Sequence, residues 1–479
     1  MRDPQRLNSP PARTVILACG ALVTPFILAA AGLAQAAESP SKAAKADDPS
    51  AAQHNWPTWR GPTGNGEAFG KPPLLWSEDE NIVWKVQVPG VGISTPIVWE
   101  DHLYLTTAVS TEREGKAKTA DEPASDEPEA PRVRRGGGGR GAQAATKVHE
   151  FWVYALDRKD GSVAWKTKVN EVVPHEAGHA TGSLASNSPV TDGEHIYAHF
   201  GSRGLYCLDM SGEVQWKKDL GIMRTRNGFG EGSSPALHGD TLVVNWDHEG
   251  DSFVVAFDKK TGEERWRKSR DEVTSWTTPR ILEVNGKAQA VIPATGASRS
   301  YDLETGDVVW ECSGMTTNAI PSPCYADGVV YLMSGFRGFA LQAIELAGAK
   351  GNVKDSDKLL WAYGSNTSYV PSALLYQGRL WFVRNNTGRV SCLDAKTGEE
   401  HYTGKSLAGI SSIYASPIGV ANRVYFTSRD GLTVVLDAGK DFRELAANQV
   451  DDEVDASLVA VGDRIYLRGR KSLYCIGEK

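Results

Sequence analysis

Cysteine is scarce in this 479-residue chain: there are six, no two of them adjacent, and no Cys-x-x-Cys-His occurs. That excludes a covalently attached haem and a disulfide-stapled scaffold. No Gly-x-Ser-x-Gly elbow and no phosphate-binding loop are present, so the corresponding hydrolase and nucleotide-binding chemistries lack their scaffold. An excess of basic charge is also missing. The formal charge is −7, which argues against nucleic acid as a partner. The one long apolar run, Val15–Leu33, lies at the N-terminus.

What the chain has in quantity is glycine (49 residues), tryptophan (14 residues) and repetition. One phrase recurs, an Asp, a Gly and then an aromatic. It reads Asp157…Gly161…Trp165, Asp209…Gly212…Trp216, Asp258…Gly262…Trp266 and Asp302…Gly306…Trp310, with a weaker copy at Asp394…Gly398…Tyr402. Between the copies stands a Ser/Thr-Pro pair followed by two apolar runs: Thr95-Pro96, Ser188-Pro189, Ser234-Pro235, Thr278-Pro279, Ser322-Pro323 and Ser416-Pro417. Pro371-Ser372 and Ala456-Ser457 are degenerate versions. The Asp can accept turn N–H groups, the Gly supplies the positive φ of a hairpin, and the Trp packs between neighbouring sheets.

A repeat of about 40–50 residues with four short strands is one blade of a β-propeller. The expectation is an all-β, eight-bladed propeller of four-stranded antiparallel blades, starting near Ile93, Asn187, Ser233, Thr277, Pro321, Val370, Ala415 and Asp455. The last blade stops one strand short, at Leu473–Ile476. Asn81–Val88, with its alternation and Trp84, can supply the missing strand and so remove an open sheet edge. Seven blades with a separate N-terminal cap is the competing count.

The repeat resembles the pyrroloquinoline-quinone-like propeller repeat, Ala-x-Asp-x-x-Thr-Gly-x-x-x-Trp, which residues 256–266 match in full. The resemblance covers nearly all of 56–479 and extends to the propeller lipoprotein of the bacterial outer-membrane β-barrel assembly machinery. Trp56-Pro-Thr-Trp59-Arg-Gly61-Pro-Thr-Gly-Asn-Gly66 is similar to the start of secreted bacterial members. The family holds scaffold proteins as well as quinoprotein dehydrogenases, so fold leaves function open. The resemblance implies that a quinone enzyme of this kind carries an adjacent Cys-Cys pair and a calcium site, and no Cys-Cys occurs here. The expectation is a ligand-binding or scaffold module of the envelope, not an enzyme and without a firm cofactor. The alternative is a periplasmic oxidoreductase dependent on the quinone.

Residues 1–36 read as a secretory signal peptide: Arg2, Arg6 and Arg13, then the apolar run, then Ala34-Gln35-Ala36. An uncleaved anchor is the alternative. Cleavage removes three basic residues and one acid, moving the charge from −7 to −9. Residues 37–55 read as a linker, and 110–148, acidic and then Arg/Gly-rich, as a disordered insertion. The location is secreted or periplasmic, with no membrane span after cleavage, and the chain reads as a monomer. Cys207, Cys392 and Cys475 hold equivalent positions in separate blades and read as small buried residues, whereas Cys312 and Cys324 could approach each other.

His175-Glu176-Ala-Gly-His179 matches a zinc-peptidase motif literally, but Pro174 and Gly178 deny it the helix that the chemistry needs. The functional expectation rests instead on loops sharing one face of the ring. They carry His175, His179, Arg203, Arg224, Arg226, Asn227, Trp246, Asp247, His248, Trp276, Asn318, Arg337, Tyr369 and Tyr414. Turns do not need these residue types, and aromatic platforms beside Arg forks suit a small polar or anionic ligand or an envelope protein. The alternative is that the charges are inter-blade ion pairs and the aromatics plug the channel.

Overall fold

The computed structural model describes residues 54–117 and 145–478. The leader, the linker up to residue 53 and the middle of the insertion lie outside the described residues.

Eight sheets form the ring, each with four antiparallel strands, and one of them gains a short fifth strand that runs parallel. Blade one is Ile97–Trp99, His102–Glu114, Lys147–Asp157 and Val163–Val172. Blade eight takes Val459–Val461, Arg464–Arg468 and Ser472–Ile476 from the C-terminus and Ile82–Gln87 from the N-terminus. Trp84 stands opposite Cys475 and Val86 opposite Leu473. The N-terminal strand closes the ring, which decides the blade count at eight. First strands are fully buried in five blades, as at Ile97–Trp99, and partly buried in the other three, as at Ala236–His238, while fourth strands such as Val163–Val172 face solvent. The core therefore lies between the sheets.

The repeated phrases are the joints between blades. The Trp84, Trp165, Trp216, Trp266 and Trp361 indole N–H groups donate to Arg158, Met210, Lys259, Leu303 and Ala395 carbonyls of the next blade at 2.9–3.2 Å. Each ring lies on the Asp-Gly turn of its neighbour. Gly262 shows why the Gly is required twice over: its φ is +69°, and a Cβ there would stand 2.7 Å from Trp216. In the turn, Asp258 Oδ1 accepts from Lys260 and Thr261 N–H, each at 3.0 Å.

The Ser/Thr-Pro phrase does something the sequence does not reveal. The hydroxyl oxygen of each blade accepts the N–H of the equivalent residue one blade back. The bonds run Thr95 to Ser188 and Ser188 to Ser234, both 2.9 Å, then Ser234 to Thr278 at 3.1 Å and Thr278 to Ser322 at 3.0 Å. They continue from Ser322 to Ser372 and Ser372 to Ser416, both 2.9 Å, then Ser416 to Ser457 at 3.0 Å and Ser457 back to Thr95 at 3.1 Å. The cycle closes. Ser372 and Ser457 lack the proline arrangement but keep the hydroxyl. This corrects the expected strand starts, which lie three or four residues later, because the Ser/Thr N–H belongs to the ring and the proline has none.

The fourth-to-fifth joint differs. Blade five has no Asp-Gly turn. Its connection instead lays Gly351–Asn352 parallel to Val308–Cys312, the outer strand of blade four. Trp310 is fully buried there, and its Nε1 has no partner. The insertion is shorter than expected, since 110–114 and 147–148 belong to strands of blade one.

Residues 55–76 form a plug rather than a linker end and a cap. Asn55 accepts the Glu100 N–H at 2.7 Å, and Trp56, fully buried, pairs with Val98 through both backbone groups. Asn65 exchanges bonds of 2.8 and 2.9 Å with the backbone of Tyr325. Glu67 and Gly70 make parallel bridges to Gly419 and Gly462. The segment crosses the channel along the first strands and touches blades on all sides.

Candidate functional site

Above the plug, the channel widens into a cavity of about 410 Å³. Its floor is Trp59, whose indole N–H reaches Ser457 Oγ of the hydroxyl ring at 3.4 Å. Its walls are Phe229, Trp276, Phe336, Tyr369 and Tyr414, each on a different loop. Phe336 stacks on Tyr369 with centroids 4.7 Å apart. The Trp276 N–H is taken by the Gly230 carbonyl at 2.7 Å, which leaves the ring available as an apolar wall. Both tyrosine hydroxyls are held from other loops: Tyr414 accepts from Thr181 at 3.4 Å, and Tyr369 accepts from Asn318 Nδ2 at 3.3 Å.

Of the residues expected here, His179, Trp276, Tyr369 and Tyr414 line the cavity. Arg226 and Asn318 stand just behind the wall, with Arg226 Nη1 donating to Asn318 Oδ1 at 3.4 Å. His179 lies edge-on to Phe229 at 5.0 Å, and its Nδ1 is 2.8 Å from Thr181 Oγ1. His175 turns away, its Nε2 2.6 Å from the Met223 carbonyl. The two imidazoles of the His-Glu-x-x-His string thus serve different partners.

The remaining expected residues lie outside the lining. Arg203 is buried against Glu231 at 2.9 Å. Asp247 forms a fully buried pair with Arg270, at 2.7 and 3.0 Å, and also accepts from Ser275 at 2.7 Å. Trp246 corrects an expectation: it is not an exposed platform but a core residue, 1% exposed, stacked on Phe253. His248 is held below the usual imidazole range by burial. Its Nδ1 accepts the Arg224 N–H and its Nε2 donates to the Asp251 carbonyl. Arg224, Asn227 and Arg337 are exposed, and the last two adopt positive φ, 54° each. Ion pairs and an aromatic-walled cavity therefore coexist on this face, at different residues.

Sequence reasoning missed Trp59, Phe336 and the acidic-basic cluster on blades seven and eight. There Asp455, its side chain 1% exposed, accepts from Arg429 at 2.6 Å and Arg470 at 2.7 Å. Arg429 also lies 4.4 Å over the Tyr414 ring, and its charged form is favoured first by the hydrogen bond to Asp455. Trp59 was visible in the N-terminal phrase. Only the plug's path shows that it is the floor.

A quinone held by calcium would need carboxylates free to bind the ion. The two on this wall, Glu231 and Asp455, are both neutralised by arginines. The donor set does not fit that group.

A model of the family described as outer membrane protein assembly factor BamB matches residues 149–347 and 349–474. An outer membrane protein assembly factor BamB of Francisella salina is 26% identical over 107 residues, 22% of this chain and 19% of that one. The match thus spans about a fifth of that relative. Among solved structures, BamB from Moraxella catarrhalis is 14% identical, with a TM-score of 0.48 over 70% of this chain and 95% of that one. The quinohemoprotein alcohol dehydrogenase of Comamonas testosteroni is 12% identical, with a TM-score of 0.59 over 90% and 82%. A europium-containing methanol dehydrogenase is 10% identical, with a TM-score of 0.61 over 89% and 98%. At these identities the dehydrogenases share the fold alone.

Proposed function

This chain belongs to the family of the outer membrane protein assembly factor BamB, and on that premise we propose that it is a scaffold or binding propeller of the bacterial envelope. The family match over most of the ring carries this reading. The leader exports the chain, and the mature protein begins at Ala37 in the periplasm. The loop face is the working face: its partner is an envelope protein, or a small polar or anionic ligand that enters the aromatic cavity. Rigid blades hold these loops, and side chains such as Trp276 and Tyr414 are already fixed by hydrogen bonds. Binding there costs little further ordering.

Two measurements test this. Intact mass of the envelope form gives the processing site, and retention of residues 1–36 contradicts export with cleavage. Incubation with the quinone and calcium, followed by an artificial electron acceptor and alcohols, separates the scaffold from the oxidoreductase. The scaffold reading expects no acceptor reduction, whereas turnover that depends on quinone overturns it.

A further inference from the structure

The plug meets two guanidinium groups that lack any carboxylate, one on a buried residue, Arg60, and one on half-buried Arg280, whose Nε is buried. Arg60 is 5% exposed. Its Nη2 donates to the carbonyls of Asn65 and Ala373, both at 3.1 Å, and of Pro417 at 2.9 Å. Its Nε and Nη1 have no partner. Arg280, at the start of the Arg280–Val284 strand, donates from Nη2 to the Thr63 carbonyl, and its Nε has no partner. The two side chains meet on the same short stretch of plug. A Cβ on Gly66 would stand 2.1 Å from Arg60 Nη2, and one on Gly64 1.6 Å from Arg280 Nη1. Burial, and then the Arg280 charge, push Arg60 down to about 10, while the Cys324 thiol opposes them.

Other buried arginines of the ring are treated differently. Arg203 and Arg270 each face a carboxylate. Arg468 has none, but its two terminal nitrogens are satisfied by Ser94 O, Ser94 Oγ and Thr106 O. Among the described residues near Arg60 and Arg280, the groups able to carry negative charge are the Tyr325 phenol, beside Arg280, and Cys324, which acts on both. Cys324 is a buried thiol that donates to the Ala373 carbonyl at 3.2 Å, the carbonyl Arg60 also uses, and burial pushes it up, towards the neutral form. A buried cation beside a half-buried one, both with unused buried donors, is costly unless a counter-charge joins them.

We propose that the plug holds a small monovalent anion of the chloride kind between Arg60 and Arg280, with Arg60 Nε and Nη1 and Arg280 Nε as its donors. The anion is structural. It neutralises the plug and fastens residues 60–66 to blades four to six. The close approach of the glycine backbone to both guanidiniums favours a monatomic ion over an oxyanion.

The probe is bromide. Crystals of the full-length mature protein grown in bromide should show an anomalous peak touching both guanidiniums. At constant ionic strength, the melting temperature should be several degrees higher in chloride or bromide than in gluconate, and the gain should saturate. Arg280→Gln should abolish the halide dependence. Arg60→Met should do the same if it folds, and the bromide map of the parent stands whether or not it does. No peak at this site together with halide-independent melting overturns the proposal. So does ultraviolet thiolate absorbance at neutral pH that disappears in Cys324→Ser, because the thiolate would then be the counter-charge.

Discussion

The blade joints and the loop end of the channel are built on opposite rules. Around the ring, the same contact recurs blade after blade: hydroxyl to N–H, indole to carbonyl, Gly beneath Trp. At the loop end nothing recurs. Phe229, Trp276, Phe336, Tyr369 and Tyr414 arrive from unrelated loops to wall one cavity. Repetition marks what holds the ring shut, and its absence marks what the ring is free to use. Even inside the repetitive part the comparison holds. Where blade five loses its Asp-Gly turn, Trp310 loses its acceptor, and an added parallel strand covers the joint.

The largest expected effect lies in the plug. Trp56 is fully buried, so Trp56→Ala should cost about 3–5 kcal/mol, as much as Trp266→Ala in a blade joint. Chemical denaturation of both variants checks this, and a mild Trp56 phenotype would demote the plug to a cap. His199 comes next, lying under the loop face with Nδ1 3.3 Å from the Ser233 carbonyl. Burial lowers it from 6.5 to about 4, so the folded protein keeps it neutral while the unfolded chain takes up a proton. Its contribution is intact above pH 6.5 and is lost as the pH falls towards 4, by about 3 kcal/mol in all. Denaturation between pH 7 and 4 should show that slope, and His199→Gln should flatten it.

A smaller effect separates the joints. Trp266→Phe removes the donor to Leu303 O and should cost about 1 kcal/mol more than Trp310→Phe, whose indole N–H has no partner to lose. Equal losses would mean the indole bonds contribute nothing beyond packing. Smallest of all is the loop face. Arg226 is half-buried and its side chain makes one long bond, so Arg226→Ala, which keeps the backbone bonds, should change stability by less than about 0.5 kcal/mol. A large drop in melting temperature would make it a strut of the ring.

The blade count, the closing strand and the Trp joints were legible because they repeat, and a repeat is visible without coordinates. The hydroxyl ring was half legible: the Ser/Thr-Pro phrase marked every blade, but its bonds join residues 41–93 positions apart and the closing one spans 362. The cavity was least legible. Its walls are single residues on separate loops, and Trp246 looks in sequence like Trp276. Only the strand register, which turns Trp246 inward opposite Phe253, tells them apart.

The central claim is that the loop face works and the plug face holds. A photo-crosslinking residue placed at Arg226 on the loop face, and at the exposed Lys71 on the plug face, tests it in intact cells. The expected result is a crosslink from position 226 to a protein of outer membrane assembly, identified by mass spectrometry, and none from position 71. Crosslinks to that partner from position 71 alone would contradict the claim.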